Sequence, residues 1–264
     1  MTARIVLFTL FMSMIPAIAS ATPRPLPMTY PYATLPDGGL ELEAFVDIVP
    51  VRVLDTSGAM AIRPRSDLTL EVEYGLTDHL ELGLYFVASD MPGAGGGFSF
   101  EGIKQRLRYR LADAGEWPVD VSIYGEIAEL KEEIELEAKI NLEKRFGDLS
   151  VQVNLWGEHE FYFSGESEWV LHPTAGVVYA FSPNFSLGLE YWMQAEFGVD
   201  AGGDPIEAFN QAPHHFLGPT VMLNFGKLWW ALAPYLRLDD LGKPSEVGQE
   251  LGHVFIRTVL GIEL

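Results

Sequence analysis

Residues 66–86 read SDLTLEVEYGLTDHLELGLYF. Within Ser66–Tyr74, Leu68, Leu70, Val72 and Tyr74 share one parity, and Thr69, Glu71 and Glu73 share the other. Leu76-Thr77-Asp78-His79 turns the chain. Leu80, Leu82, Leu84 and Phe86 then alternate with Glu81, Gly83 and Tyr85. Successive side chains of a strand point to opposite faces, so this hairpin has one greasy and one polar face. The same alternation predicts twelve strands, near 39–48, 66–75, 80–88, 98–111, 119–128, 134–143, 149–158, 170–181, 185–196, 214–225, 228–237 and 252–264.

The connections alternate in length. Gaps near 76–79, 112–118, 144–148, 182–184 and 226–227 are short and carry turn residues such as Phe146-Gly147-Asp148, Ser182-Pro183-Asn184 and Gly226-Lys227. Gaps near 49–65, 89–97, 129–133, 159–169, 197–213 and 238–251 are mostly long and rich in Gly, Pro or acid, 129–133 being short for its group. Short turns at one end, long loops at the other and an even strand count are the pattern of an all-β, antiparallel up-and-down transmembrane β-barrel. Tyr74, Tyr109, Phe146, Tyr179, Phe181, Phe185 and Phe225 lie beside the short turns, where an aromatic girdle belongs. A soluble β-sandwich or lipocalin-like barrel would also alternate, but strands of about ten residues are long for it.

Residues 1–21 have the order of a secretory signal peptide: Arg4, an apolar run from Ile5 to Ile15, and Ala19-Ser20-Ala21 as cleavage site. Pro16 ends that run too early for a helical anchor of about 20 residues. Residues 22–37, rich in proline, are expected to be a short extended segment ahead of a barrel over 38–264. The expected location is the outer membrane of a Gram-negative bacterium. Its lipid, its lipopolysaccharide and the barrel-assembly machinery are the expected partners. The chain has 17 basic and 37 acidic residues, and a net charge of −20 argues against nucleic-acid binding. It has no cysteine, as suits a chain that crosses an oxidising compartment unfolded.

If the greasy faces meet lipid, the opposite faces line a lumen. They carry Glu41, Glu43, Asp47, Glu71, Glu73, Glu81, Asp120, Glu126, Glu135, Glu137, Glu143, Glu158 and Glu190. One strand differs: Lys104, Arg106, Arg108 and Arg110 share a face. Four cations in a row need acids across the ladder. Turn-centred registers put Arg110 near Asp120 and Glu81, and Lys104 near Glu126. This charge ladder is either a structural ion-pair network or a stripe that orients charged solutes. The same registers set Tyr85, Arg106, Tyr124, Glu137 and Trp156 at one height, with Trp192 further round. That belt is the candidate constriction where a small-molecule solute would make contact, unless the side chains simply fill a narrow barrel.

Chemistry is not legible. His214-His215 straddles a strand. His172 and His253 stand near outer strand ends, His79 in a turn and His159 in an outer loop, with no metal-type spacing. Phe163-Ser164-Gly165 and Ser150 show no nucleophile elbow. Gly93-Ala94-Gly95-Gly96-Gly97 lacks the lysine and helix start of a phosphate loop. No catalytic residue, metal ligand or cofactor is therefore expected, and an enzyme is the less favoured class. Glu166, Glu168, Asp200, Asp204, Asp239 and Asp240 would sit in outer loops, solvated or near divalent cations.

The stretch Tyr74-Gly75-Leu76-Thr77-Asp78-His79-Leu80-Glu81-Leu82-Gly83-Leu84-Tyr85 resembles a turn that recurs in uncharacterised Gram-negative outer-membrane barrels. These are loosely tied to the phenol-degradation-pathway (MetA-type) family. Phe100–Lys104 and Arg108–Asp113 resemble a second motif of that group. The likeness runs over most of 38–264. It implies outer-membrane location and solute passage, with no catalytic residues to carry over. The chain departs from such barrels in ending Gly261-Ile262-Glu263-Leu264, where they end in Phe or Trp. Either assembly is less efficient, or a neighbouring aromatic such as Phe255 contributes. The expected function is a narrow channel or transporter for small solutes, the alternative being a filled, non-conducting structural or adhesion barrel.

Overall fold

The structure, a computed structural model, describes residues 22–54, 57–90, 97–207, 210, 212–239, 241 and 251–264. The leader expected over 1–21, residues 93–96 of the glycine run and Asp240 lie outside these.

Alternation of apolar and polar residues becomes a ladder of long antiparallel strands. These are β1 (Leu40–Leu54), β2 (Met60–Gly75), β3 (Leu80–Asp90), β4 (Ser99–Arg110), β5 (Asp120–Leu130), β6 (Glu133–Phe146) and β7 (Leu149–Tyr162). They continue as β8 (Ser167–Leu171), β9 (Thr174–Ser182), β10 (Phe185–Val199), β11 (Pro205–Ile206), β12 (His214–Asn224), β13 (Leu228–Arg237) and β14 (Val254–Glu263). Both β8 and β9 pair with β7 on one side and β10 on the other, so together they make one stave, broken at His172-Pro173. Pro173 has no N–H to give the ladder, which is why the break falls there. The two-residue β11 only edges the end of β10. Because β1 pairs with both β2 and β14, the sheet closes on itself as a twelve-stranded antiparallel barrel.

All twelve expected strands are present. The main difference lies at 49–65, expected as a loop: β1 and β2 stay paired out to Leu54 and Met60. Alternation fades there, but the register continues through Pro50↔Pro64 and Arg52↔Ile62. His159, expected in a loop, is in β7, its ring stacked on Trp169 at 4.1 Å. Glu168, also expected in a loop, is a buried residue of β8 hydrogen-bonded by Tyr162 at 3.3 Å.

Polarity is reversed relative to a soluble barrel. Leu70, Leu82, Leu107, Ile123, Ile127, Leu136, Ile140 and Leu260 point outward and are exposed. All thirteen carboxylates assigned above to the polar faces are buried within. Such a barrel is built to have hydrocarbon as its solvent. Tyr74, Tyr109, Phe146, Tyr179, Phe181 and Phe225 are exposed at the short-turn end. Phe98, Phe100, Phe161, Phe163, Trp169 and Phe197 form a second exposed set toward the long-loop end. Phe255, by contrast, is buried inside against Trp192 at 5.3 Å and cannot stand in for an outward C-terminal aromatic.

Candidate functional site: the lumen and the segment inside it

Residues 22–37, TPRPLPMTYPYATLPD, carry five prolines and lie inside the barrel. Leu26, Met28, Thr29, Tyr30, Tyr32 and Leu35 are all buried. The segment enters at the short-turn end, where Thr22 N–H donates to Glu41 at 3.0 Å. It crosses to the far wall, where the Met28 and Thr29 N–H groups donate to Glu190 at 3.1 and 2.7 Å. Tyr30 exchanges two bonds with the Asn154 amide, at 2.6 and 2.9 Å. The chain then returns, with Leu35 N–H donating to Glu81 at 2.6 Å and the Thr34 hydroxyl to Asp78 O at 3.0 Å, and enters β1. A peptide crossing a lumen must satisfy each N–H away from bulk water. Every proline removes one such donor, and the N–H groups of Thr22, Met28, Thr29, Tyr30 and Leu35 find wall carboxylates or an amide. That is the physical use of the proline spacing, a signal already present in the sequence.

Arg24 is the electrostatic anchor of the segment. Its guanidinium meets Glu43 at 3.1 Å, Glu71 at 3.0 Å and Glu73 at 2.8 Å, with about 1% of the side chain exposed. Its plane also lies over the Tyr30 ring at 3.8 Å. Glu41, Glu43 and Glu73 converge closely enough to suit a metal ion, but Arg24 already supplies positive charge among them.

The cation stripe on β4 is a paired network. Lys104 meets Glu135 at 2.8 Å and Glu126 at 3.5 Å. Arg106 meets Glu71 at 2.7 Å, Glu81 at 2.6 Å and also Glu73. Arg108 meets Glu81 at 2.7 Å. Arg110 lies near Asp113 at 3.2 Å and donates to Asp78 O at 2.9 Å, not to Asp120 or Glu81 as the turn-centred register implied. Asp120 instead accepts from Gly115 N–H in the adjacent turn. The observed ladder sets Arg110 opposite Ser122, two residues from the expected partner, because the 112–118 connection is not a symmetric hairpin turn.

The belt residues share the lumen but not one height. Arg106 lies between the Tyr85 and Tyr124 rings, 5.8 and 5.7 Å from their centroids. Register places Lys139, not Glu137, beside Tyr124 and Trp156. Lys139 Nζ stands 3.7 Å from the Trp156 ring centre, 4.3 Å from Tyr124 and 4.2 Å from Tyr30, and it pairs with Glu137 at 2.6 Å. Trp192 belongs to a separate cluster, stacked on Phe216 at 3.9 Å and packed with Met28, Tyr235 and Phe255.

Two spaces remain. A cavity of about 120 Å³ touches Tyr85, Tyr124, Glu137 and Trp156. One of about 290 Å³ lies beyond Met28 and touches Glu137, Trp156 and Trp192. Lys104 and Arg257 border both, whereas Arg106 borders neither. At the long-loop rim, Asp239 accepts from His215 N–H at 2.9 Å and from Arg237 at 3.0 Å. Partial burial pushes its carboxyl up, but these bonds and one from His214 outweigh it and bring the pKa down to about 2. Asp200 is likewise engaged, accepting from Gly202 and Asp204 N–H at 2.8 Å.

Comparison with known proteins follows the architecture. A family model described only as a family of unknown function (DUF6662) matches residues 113–239, just under half of the chain. No curated protein matches. Among solved structures, the COG4313 outer membrane channel from Pseudomonas putida F1 superposes with a TM-score of 0.60 at 13% identity, over 88% of this chain and 98% of that one. The NanC porin superposes with a TM-score of 0.57 at 9% identity, over 85% of this chain and all of its own. At these identities the likeness is one of fold, and the fold shared is that of outer-membrane barrels.

Proposed function

We propose that the protein is an outer-membrane channel for small solutes, closed in this structure by its own residues 22–37. The short turns and this segment face the periplasm. One observation carries the reading: the lumen is stoppered by a peptide held through ion pairs and side-chain-to-backbone hydrogen bonds. A permanently filled barrel gains little from such a filling. Apolar packing of the same volume is usually as stable as a buried ionic network or more so. A lumen walled by thirteen carboxylates and a stripe of cations is suited to water in one of its states. Tyr85, Tyr124, Glu137, Trp156 and Trp192 border the free space and are the residues a solute would meet. Arg106 serves the wall. The resemblance to the phenol-degradation-pathway barrels supports solute passage in the same general sense.

The test is conductance in planar bilayers. The intact chain should show small or rare openings, and a variant lacking residues 23–34 should show large, steady ones. If neither conducts, the filled structural barrel is the better reading.

A further inference from the structure

The larger cavity has an unbalanced charge. Five carboxylates border it: Asp47, Asp67, Glu135, Glu137 and Glu158. Four have a cation each. Asp47 holds Arg257 in a two-pronged pair at 2.7 and 2.6 Å. Asp67 meets Arg65 at 3.0 Å, Glu135 meets Lys104 at 2.8 Å, and Glu137 meets Lys139 at 2.6 Å. Glu158 is 8% exposed and makes no hydrogen bond or ion pair among the described residues. A buried carboxylate without a partner is costly, and a cation arriving from outside removes that cost.

The surroundings say which kind of cation. Trp156 stands two residues before Glu158 on the same face of β7, edge-on to His172 at 4.6 Å, and Trp192 and Phe255 close the same space. Lys139 already covers one face of Trp156, and Phe216 one face of Trp192. The aromatic surface that still borders the cavity, beside a carboxylate, suits an organic ammonium group, which takes charge from one and cation–π contact from the other. A hard metal ion would need several converging oxygens. Among the described residues, only Glu41, Glu43 and Glu73 come close enough together for that, at the other end of the lumen.

We propose that Glu158, with Trp156 and Trp192, forms a binding site in the outer half of the lumen for small organic cations bearing a primary ammonium. The site deepens the channel reading, on which its meaning for transport rests, by naming the solute class. Binding itself needs no conductance.

The test is isothermal titration of the full chain in detergent with three probes of one shape: benzylammonium, benzyl alcohol and benzoate. Benzylammonium should bind, benzyl alcohol more weakly, and benzoate not measurably. Glu158→Gln should weaken benzylammonium by about tenfold or more, the scale of a contact to a charged group. Val170 is buried directly across the ladder from Glu158, so Val170→Lys should fill the site from within and abolish binding. Each variant is first checked for the fast-migrating folded band on an unboiled gel. Equal binding of benzoate overturns the proposal. So does benzylammonium binding no better than benzyl alcohol, as expected if Glu158 stays protonated, or affinity unchanged by both substitutions. Failure of the channel reading shows instead as a silent bilayer with the titration intact.

Discussion

Leu82 and Thr69 differ in parity, and parity decides their solvent. Leu82 points outward and is exposed, whereas Thr69 borders the smaller interior cavity. Leu82→Arg should cost about 2–4 kcal/mol if it lies near the bilayer midplane, read as a lower denaturant midpoint in vesicles. Thr69→Arg should be tolerated far better, and equal tolerance would mean inside and outside are exchanged. Arg24 makes a different case. Removing one partner of a buried ionic cluster costs about 3–5 kcal/mol because charges are left uncompensated. In Arg24→Gln that cost falls on the seated segment, since Glu43, Glu71 and Glu73 belong to the wall. The chain has no cysteine, so Thr29→Cys is a clean reporter at a fully buried position. Maleimide should label Cys-substituted position 29 slowly in the parent and several-fold faster with Arg24→Gln added. Equal rates would show that Arg24 does not hold the segment.

The segment 22–37 and the wall are matched as elements. At Gly176 on β9, a Cβ would come within 2.6 Å of Leu26 Cδ1 and 3.0 Å of Leu189 O. The wall is therefore bare where the segment passes. Gly176→Val should push Leu26 away and raise the open fraction in bilayers without weakening the barrel to the extent that Leu82→Arg does. No rise in conductance would mean that the segment shifts sideways rather than out. Gly83 plays a similar part within the wall: its missing Cβ leaves room for the Arg106 side chain, whose Nε would be 2.5 Å away. The strands themselves were legible in the alternation, because a period of two is a local property. The excess length of β1 and β2 was not, because Pro50 and Pro64 read as loop residues while the paired ladder carries them as a facing pair at its far end.

For the whole molecule, the β1–β14 ladder joins the first and last strands, so the sheet closes on itself over the paired stretch from Glu41 to Ile48. The protein should therefore fractionate with outer membranes, and its band on a denaturing gel should run faster unboiled than boiled. A soluble pool without that heat shift would count against the membrane barrel. Closure also concentrates charge. The carboxylates of β1, β2 and β3 lie across from Arg24, Arg106 and Arg108, cations drawn from two distant stretches of chain.

The sequence by itself determined the barrel, its strand count, its greasy outside and the residues that face inward. Each of these follows from side-chain parity and turn chemistry within about fifteen residues. Pairing partners depend on register, and register depends on how asymmetric each turn is. That is why Arg110 missed Asp120 and Lys139 went unnoticed beside Trp156. Only the tertiary structure decided that residues 22–37 fill the lumen and that Glu158 is left without a direct ion pair among the described residues. Whether a buried charge is balanced depends on every group that the closed wall brings around it, and no local pattern counts those groups.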